Sequence, residues 1–600
     1  MTHSAIPMAS EAAFTTEQKE YLAGFTAGLS TRGLFPFVGH RPDGLITHSA
    51  GEAPLNLAGP PSGPETFHGV PIDDLCREER LKWEQNPLDI WDKILQHASE
   101  NRPPEGGDVF RFKFHGLFYV APAQDSFMLR VRVPGSALRS DQLRGLAHMA
   151  RQWGGGYADI TTRANLQIRE FAPRDIVNVL SALSDIGLTS RGSGADNVRN
   201  ITATPTSGLD PAEVYDVREL ARSFQFYLNN NRDLFGLPRK FNVAFDSGGA
   251  VSVVSDTNDI GFIATRVRPG AAIQAGAYFR VLLAGITGHK RFASDCGLLL
   301  APDECVAVAA AMVRVFAEKG DRTDRKKARL CYLLDRIGIA GFLEEVGKKL
   351  AFPLRFSEAD VCETRTPLLK HGHLGVRVQK QPGLNYIGAA IPVGRMKAEQ
   401  MQAMADLADT CGTGELRLTV WQNVIIPNVP TGKIEDAKAA LRAMGFDSKS
   451  SAQAGGLVAC TGNTGCRFAA TNTKGQAIAL ARHLDERLSL DAPINIHLTG
   501  CPNSCAQHYI GDIGLLGTSV DTATGTVEGY HVYVGGGADQ EQGLARELAK
   551  GVPFEQVPPL IERLLRGYLA RRAAVTESFS SFARRVEIGE LRAIVDEVAL

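Results

Sequence analysis

Four of the ten cysteines in this 600-residue chain stand in two close pairs, Cys460 and Cys466 in ACTGNTGC and Cys501 and Cys505 in TGCPNSC. Thiolates are soft ligands, so four of them on two short loops suit a tetrahedral metal ion or an iron-sulfur cluster. Structural zinc sites use tight knuckles on both sides, whereas the spacing of Cys460 and Cys466 is loose for one small ion and wide enough for adjacent corners of a cubane. Pro502 sets a turn ahead of Asn503, and Gly462, Gly465 and Gly500 let the backbone approach a bulky inorganic group. The remaining cysteines, Cys76, Cys296, Cys305, Cys331, Cys362 and Cys411, lie scattered in ordinary segments and read as buried apolar packing.

ACTGNTGC followed about 35 residues later by TGCPNSC resembles the cluster motif of the sirohaem-dependent nitrite and sulfite reductases. The likeness runs from about Phe110 to Gly537. It implies a 4Fe-4S cluster held by Cys460, Cys466, Cys501 and Cys505, with Cys505 also bridging to the iron of a sirohaem. The reaction it implies is the six-electron reduction of nitrite to ammonia for nitrogen assimilation, with assimilatory sulfite reduction to sulfide as the alternative.

Sirohaem is a polycarboxylate, so its pocket needs many Arg, Lys and amide donors. Arg130 and Arg132 in MLRVRVPG are two apart on a strand and share a face. Taken alone such a pair is more often a solvated strand face. The family resemblance instead places Arg130 at the distal, substrate side of the sirohaem. DITTRANLQIR resembles the segment that binds sirohaem carboxylates, implicating Arg163, Gln167 and Arg169, which are expected to alternate along one strand. DNVRN resembles the loop giving a second substrate-facing arginine, here Arg199, and LPRKFN the strand giving Lys240 and Asn242. Sulfite reductases tend to carry lysine where this chain has Asn242, and the CTGN lead-in to the cluster is also more like nitrite reductases, so nitrite is favoured. RTDRKKAR, Arg322 to Arg329, reads as a basic helix face in preference to a cap over the site. VGGGAD at Val534 to Asp539 resembles a family loop near the cofactor carboxylates, although a glycine triplet by itself signals only a turn.

These residues need positioning elements, and an internal repeat supplies them. Sliding Val131–Leu188 by 258 positions superposes Pro134 on Pro392, Gln142 on Gln400, Ala147 on Ala405, Gly154 on Gly412, Gly156 on Gly414, Thr161 on Thr419, Asn165 on Asn423 and Gly187 on Gly445. Each copy reads as a β-α-β-α half-module, and two such halves can complete one another's sheet across a pseudo-twofold axis. LTVWQNVII in the second copy has Trp421 where the first has Arg163, so Trp421 and Asn423 are expected to be structural. The expected class is α+β: one domain from the two half-modules, 108–192 and 367–450, plus two larger mixed α/β cofactor-binding domains, 193–366 and 451–600, the latter ending in a helical tail. An N-terminal extension, 1–107, carries a capped amphipathic helix near Thr15–Leu29 and a wrapping loop over Gly51–Gly69.

Bulk properties narrow the partners. Lys and Arg total 65 against 66 for Asp and Glu, a net charge of -1 that argues against nucleic acid or a polybasic membrane binder. No secretion signal and no long apolar run is evident, so a soluble, cytoplasmic monomer is expected. With no dinucleotide fingerprint on a βαβ unit and no flavin domain, electrons should come from a separate small carrier, and ferredoxin is the economical choice. Two rivals make different predictions: a zinc-stabilised anion-binding protein without redox chemistry would be colourless, and a cobalamin-pathway oxygenase related to the family need not keep Arg130, Arg199, Lys240 and Asn242 together.

Overall fold

The computed structural model describes residues 65–448, 453–491 and 493–596. The expected helix near Thr15–Leu29 and most of the Gly51–Gly69 stretch lie outside the described residues. From Glu65 onward the N-terminal segment is structured, with a small hairpin, Thr66–Phe67 with Val70–Pro71, and helices at Arg77–Glu84 and Trp91–Ser99.

Four regions follow in chain order. The first half-module has strands Leu117–Val120 (β1), Ser126–Arg130 (β2) and Ala137–Arg139 (β3), helix Ser140–Gln152 (α1), strands Tyr157–Ile160 (β4) and Leu166–Phe171 (β5), and helix Ile176–Asp185 (α2). Next come Val198–Ala203 (β6), Arg218–Asn230 (α3), Phe241–Asp246 (β7), Ile260–Val267 (β8), Gly276–Leu283 (β9), Ser294–Leu300 (β10), Cys305–Lys319 (α4) and Leu330–Gly347 (α5). The second half-module has Gly375–Val378 (β11), Leu384–Ala389 (β12), Arg395–Lys397 (β13), Ala398–Cys411 (α6), Glu415–Leu418 (β14), Val424–Pro430 (β15) and Ile434–Ala443 (α7). The last region has Leu457–Ala459 (β16), Thr473–Asp485 (α8), Ile496–Thr499 (β17), Ile513–Thr522 (β18), Gly525–Val534 (β19), Arg546–Pro553 (β20), and helices Val557–Arg571 (α9), Phe579–Arg585 (α10) and Ile588–Asp596 (α11).

The repeated residues each have a mechanical task. The Gln142 side chain accepts from the Arg139 N–H at 3.1 Å, capping α1, and donates to Ile186 O at 3.1 Å at the end of α2. Gln400 repeats both bonds, to the Lys397 N–H at 2.8 Å and Met444 O at 2.9 Å. Helix α1 then buries Leu143, Leu146, Ala147, Met149 and Ala150, one apolar stripe at helical spacing. A Cβ on Gly154 would sit 2.7 Å from Arg169 O, and one on Gly412 2.8 Å from Pro427 O, so helix and strand pack too closely for any other residue.

One expectation needs correction. DITTRANLQIR is a hairpin, β4 and β5 joined at 161–165, so each half-module is β-α-β-β-α. Alanine at 164 and glutamine at 422 take positive φ in the two turns, and the Thr161 N–H bonds Asn165 O as the Thr419 N–H bonds Asn423 O, each at 2.9 Å. Arg163 therefore stands on a turn, with Gln167 and Arg169 on the strand behind it.

The halves exchange strands. One sheet runs β13-β4-β5-β2-β1 and the other β11-β12-β15-β14-β3. Thus β3 pairs with β14 of the second half, Ala137 opposite Arg417, while β13 pairs with β4 of the first, Arg395 opposite Asp159. Both registers are related by the same 258-residue offset. The apolar faces of both halves form one continuous core.

The other two regions are also copies of one plan: β6, β7 and β8 run parallel and are extended by antiparallel β9 and β10, and β16, β17 and β18 run parallel and are extended by β19 and β20. In both, an aspartate before the third strand accepts from an asparagine N–H at the start of the second: Asn242 to Asp259 at 2.9 Å and Asn495, just ahead of β17, to Asp512 at 2.8 Å. The RTDRKKAR segment is no helix face. It is the connection between α4 and α5, and its arginines are used internally: Arg322 pairs with Glu79, Arg325 with Asp196 and Arg329 with Asp259. The C-terminal α11 inserts Leu591, Ile594 and Val595 into the core of the last region. Among the described residues no helix is long and apolar enough to cross a membrane.

Candidate functional site

The two cysteine loops leave the carboxyl ends of parallel strands β16 and β17, the place where open α/β sheets hold ligands. Strand β16 is fixed by the second hairpin turn: the Gln422 amide donates to Ala459 O at 3.0 Å and to Ile160 O at 3.1 Å, and accepts from the Ala459 N–H at 2.9 Å. Cys460 follows directly. Gly462 (φ +74°) turns its loop so tightly that a Cβ would lie 2.7 Å from the Thr473 backbone nitrogen. The Gly500 N–H donates to Cys460 Sγ at 3.2 Å, joining the two loops. Trp421, in the same hairpin turn, stacks on His373 at 4.4 Å.

All four thiols are free, with Cys501 buried, Cys460 and Cys466 partly covered and Cys505 exposed. Burial, reinforced by Cys505, Cys466 and Cys460, pushes the Cys501 thiol up to about 11. Burial and then Cys505 raise Cys460. Neighbouring sulfurs thus oppose the ionisation of Cys460 and Cys501, and a cationic centre between them would relieve that opposition. Four soft sulfur donors on two adjoining loops suit an iron-sulfur centre.

Cations from the first half of the molecule face Cys505. Thr162 Oγ1 donates to Cys505 O at 3.1 Å, which puts the first hairpin turn against the cluster loop. Next to it, Arg163 Nε donates to Asn242 Oδ1 at 2.8 Å, and the Asn200 amide holds Arg163 O at 2.9 Å. Arg130, ending β2, lies over the Phe118 ring at 4.5 Å and donates to Ser193 O at 3.3 Å. Arg199, on β6, donates to the same Ser193 O at 3.3 Å and to Ala195 O at 2.7 Å, while its buried Nε has no partner. Arg132, two residues after Arg130, is spent inside the protein on Arg191 O, Val198 O, Arg199 O and Gln225.

The electrostatics are those of an anion pocket. Burial, then the charge of Arg163, lowers Arg130 to about 10, with Cys505 acting in the opposite sense. Burial followed by Arg130 and Arg163 lowers Arg199 strongly, and burial followed by Arg329 and Arg163 does the same to Lys240. Cations that depress one another in this way are stabilised by an incoming polyanion. The orphaned Arg199 Nε and the exposed Cys505 thiol beside these groups fit a carboxylate-rich, thiol-ligated iron macrocycle.

Gln167 stands opposite Arg130 across the β2–β5 pair, and Arg169 follows two residues along the same strand. Arg169 is 2% exposed and binds Asp159 at 3.2 Å, Gln167 Oε1 at 2.8 Å, Thr461 Oγ1 at 2.7 Å and Gly465 O at 3.3 Å. All its donors go to protein, tying β5 to the first cysteine loop, and Gln167 serves as one of its acceptors. Sequence reasoning missed Thr162, Gln422 and Asp159 as parts of this framework. The signal for Gln422 was its place in the repeat beside Trp421; nothing marked Thr162 beyond its adjacency to Arg163.

A family model described as the nitrite and sulphite reductase 4Fe-4S domain matches residues 194–354 and 450–599, and one for the nitrite/sulfite reductase ferredoxin-like half domain matches 120–186 and 377–444. A ferredoxin–nitrite reductase of Synechococcus elongatus is 37% identical over 505 residues, covering 82% of this chain and 96% of the relative. The chloroplastic ferredoxin–nitrite reductase of Zea mays is 36% identical over 511 residues, covering 81% and 88%. The solved structure of the Mycobacterium tuberculosis NirA protein superposes with a TM-score of 0.80 at 29% identity, covering 86% of this chain and 98% of that one.

Proposed function

The chain belongs to the nitrite and sulphite reductase family, and from that premise we propose that it reduces nitrite to ammonia with electrons from ferredoxin. The observation that carries the reading is the set of mutually repelling cations, Arg130, Arg163, Arg199 and Lys240, gathered beside the Cys505 thiol. Cys460, Cys466, Cys501 and Cys505 would hold the iron-sulfur cluster, and Cys505 would also help to hold a sirohaem. Bound together, the two groups would supply single-electron delivery to the substrate.

The chain's own part is electrostatic. Arg130 and Arg199 offset the charge of the oxyanion, their guanidinium groups fixed by shared bonds to Ser193 O. Lys240, made more acidic by burial and by Arg329 and Arg163, is the proton donor as N–O bonds break. Asn242 keeps Arg163 in place and brings no second positive charge, which suits a singly charged anion such as nitrite. Free thiols throughout suit a reducing compartment, so the cytoplasm is the proposed location and a monomer the proposed state.

The test is the visible spectrum of the purified protein followed by turnover of nitrite and sulfite with reduced ferredoxin. Sirohaem bands with the higher kcat/KM for nitrite are expected. Sirohaem bands with sulfite preferred would move the enzyme to sulfur assimilation, and a colourless protein holding zinc would overturn the redox reading altogether.

A further inference from the structure

Arg199 is aimed by backbone carbonyls: its Nη2 donates to Ala195 O at 2.7 Å and its Nη1 to Ser193 O at 3.3 Å. Where its guanidinium points therefore depends on how the 193–197 turn is held. Ala195 takes a positive φ of +48° there, a conformation that a residue with a Cβ keeps only when its surroundings fix it. Part of the fixing is local. Asn197 Nδ2 donates to Gly194 O at 2.8 Å, inside the turn. Asp196 O accepts from the Leu237 N–H at 2.8 Å, Asn197 O from the Phe241 N–H at 3.0 Å and Asn197 Oδ1 from the Gly236 N–H at 3.1 Å, zipping the turn to the segment that carries Lys240.

The Asp196 side chain supplies the remaining attachment. It is fully buried, and Arg325 grips both its oxygens at 2.8 and 2.9 Å, a two-pronged pair that sets orientation as well as position. Lys82 Nζ stands 3.5 Å from one oxygen and Arg239 4.0 Å from the other. Lys82 comes from helix Arg77–Glu84, in the N-terminal segment to which sequence reading gave no chemistry, and is itself held by Glu79 and by Leu237 O at 2.9 Å. Glu79 pairs in turn with Arg322. The N-terminal helix and the connection between α4 and α5 thus meet on one side chain of the turn. By charge alone that side chain is misplaced, because a carboxylate three residues from Arg199 works against anion binding. Its return must lie in geometry.

We infer that Asp196 is a positioning residue for Arg199: by locking the turn at Ser193 and Ala195 it points the guanidinium at the substrate anion. The inference rests on the reading of the site as an oxyanion reductase.

The test uses holoenzyme with Asp196→Asn, and with Arg325→Lys, which keeps the charge and loses the two-pronged grip. Nitrite turnover with reduced viologen is measured beside hydroxylamine, which is uncharged in mildly alkaline buffer. Nitrite affinity of the resting protein is read from the shift of its sirohaem bands, and sirohaem content per protein is recorded. Asp196→Asn should raise both KM and Kd for nitrite about ten-fold, the scale of a displaced binding group, with hydroxylamine KM and sirohaem content close to the parent. Removing a negative charge would by itself tighten anion binding, so weakened binding is the signature of a misdirected Arg199. Arg325→Lys should change nitrite KM in the same direction. Unchanged or tighter nitrite binding in Asp196→Asn, equal losses on nitrite and hydroxylamine, or a drop in sirohaem content would each overturn the assignment. Should Asp196→Asn yield no soluble holoenzyme, Arg325→Lys decides: a raised nitrite KM at parent sirohaem content supports the assignment and an unchanged one overturns it. Should the parent enzyme prefer sulfite, the nitrite reading fails separately, and the same variants then decide Asp196 on the sulfite KM.

Discussion

Arg395, from the second half-module, reaches both carboxylate oxygens of Asp159 in the first, at 2.8 and 3.1 Å. Arg169 at 3.2 Å and Lys474 at 3.5 Å complete the set. One buried carboxylate thereby joins both half-modules to α8 and, through Arg169, to the first cysteine loop.

Asp159→Asn should be severely destabilising, by about 3–5 kcal/mol, because it leaves two buried cations, Arg169 and Lys474, uncompensated beside the partly exposed Arg395. Burial opposes the ionised form, but Lys474, Arg395 and Arg169 together hold Asp159 well below the usual carboxylate range. Its contribution is therefore fully present above the unfolded value of about 4 and is lost as pH falls further through the folded value. Urea midpoints at neutral and acid pH check this: the gap between parent and variant should narrow in acid.

Arg169→Gln should weaken cluster retention about 10- to 100-fold, the usual scale for removing a group that orients metal ligands. It removes the bonds to Thr461 Oγ1 and Gly465 O, which shape the loop between Cys460 and Cys466. Iron and acid-labile sulfide per protein, after timed exposure to chelator, give the readout. Normal retention would show that the loop holds its shape without β5.

Cys505→Ser should abolish the spectroscopic coupling between cluster and sirohaem, whereas Cys411→Ser, in the buried face of α6, should leave it intact. Electron paramagnetic resonance of the reduced protein separates the two outcomes.

Asn242→Lys should shift the ratio of kcat/KM values toward sulfite by roughly ten-fold, the worth of one charge-assisted contact of about 1.4 kcal/mol. Asn242 is 3% exposed and accepts from Arg163, so a lysine there both adds charge and frees Arg163 for a doubly charged anion. An unchanged ratio would remove Asn242 as a determinant.

His371 should make the protein acid-sensitive above the range of its carboxylates. Burial, then the neighbouring Lys370, lowers it to about 4, and its ring nitrogen meets Asn495 Oδ1 at 2.9 Å. The unfolded chain takes the proton near pH 6.5, so stability falls as pH drops from about 6.5 to about 4, by up to about 3 kcal/mol. His371→Gln should flatten that part of the profile in thermal unfolding.

The sequence disclosed what spacing and identity encode directly. Cys460, Cys466, Cys501 and Cys505 were legible because soft ligands in close pairs have few other uses, and the half-modules because Gln142 and Gln400, or Gly154 and Gly412, answer the same local demand twice. The duplication of the α/β regions was not found, although Asp259-Ile260-Gly261 and Asp512-Ile513-Gly514 mark it, because insertions between their strands destroy a fixed offset. The hairpin at 161–165 was hidden because a two-strand turn without glycine resembles one long strand. The use of Arg322, Arg325 and Arg329 depended on Glu79, Asp196 and Asp259, partners far away in the chain that no local pattern announces.

The exchange of β3 and β13 sets the order in which the protein can mature on the ribosome. The sheet begun at Leu117 lacks its edge until Arg395–Lys397 has emerged, and β3 has no sheet to join until Glu415–Leu418 follows. Throughout that interval β4 presents an open row of backbone donors and acceptors, the kind of edge that recruits foreign strands. A chain interrupted anywhere between the half-modules is therefore an aggregation hazard and not half an enzyme, and the two copies are bound to succeed or fail together during synthesis.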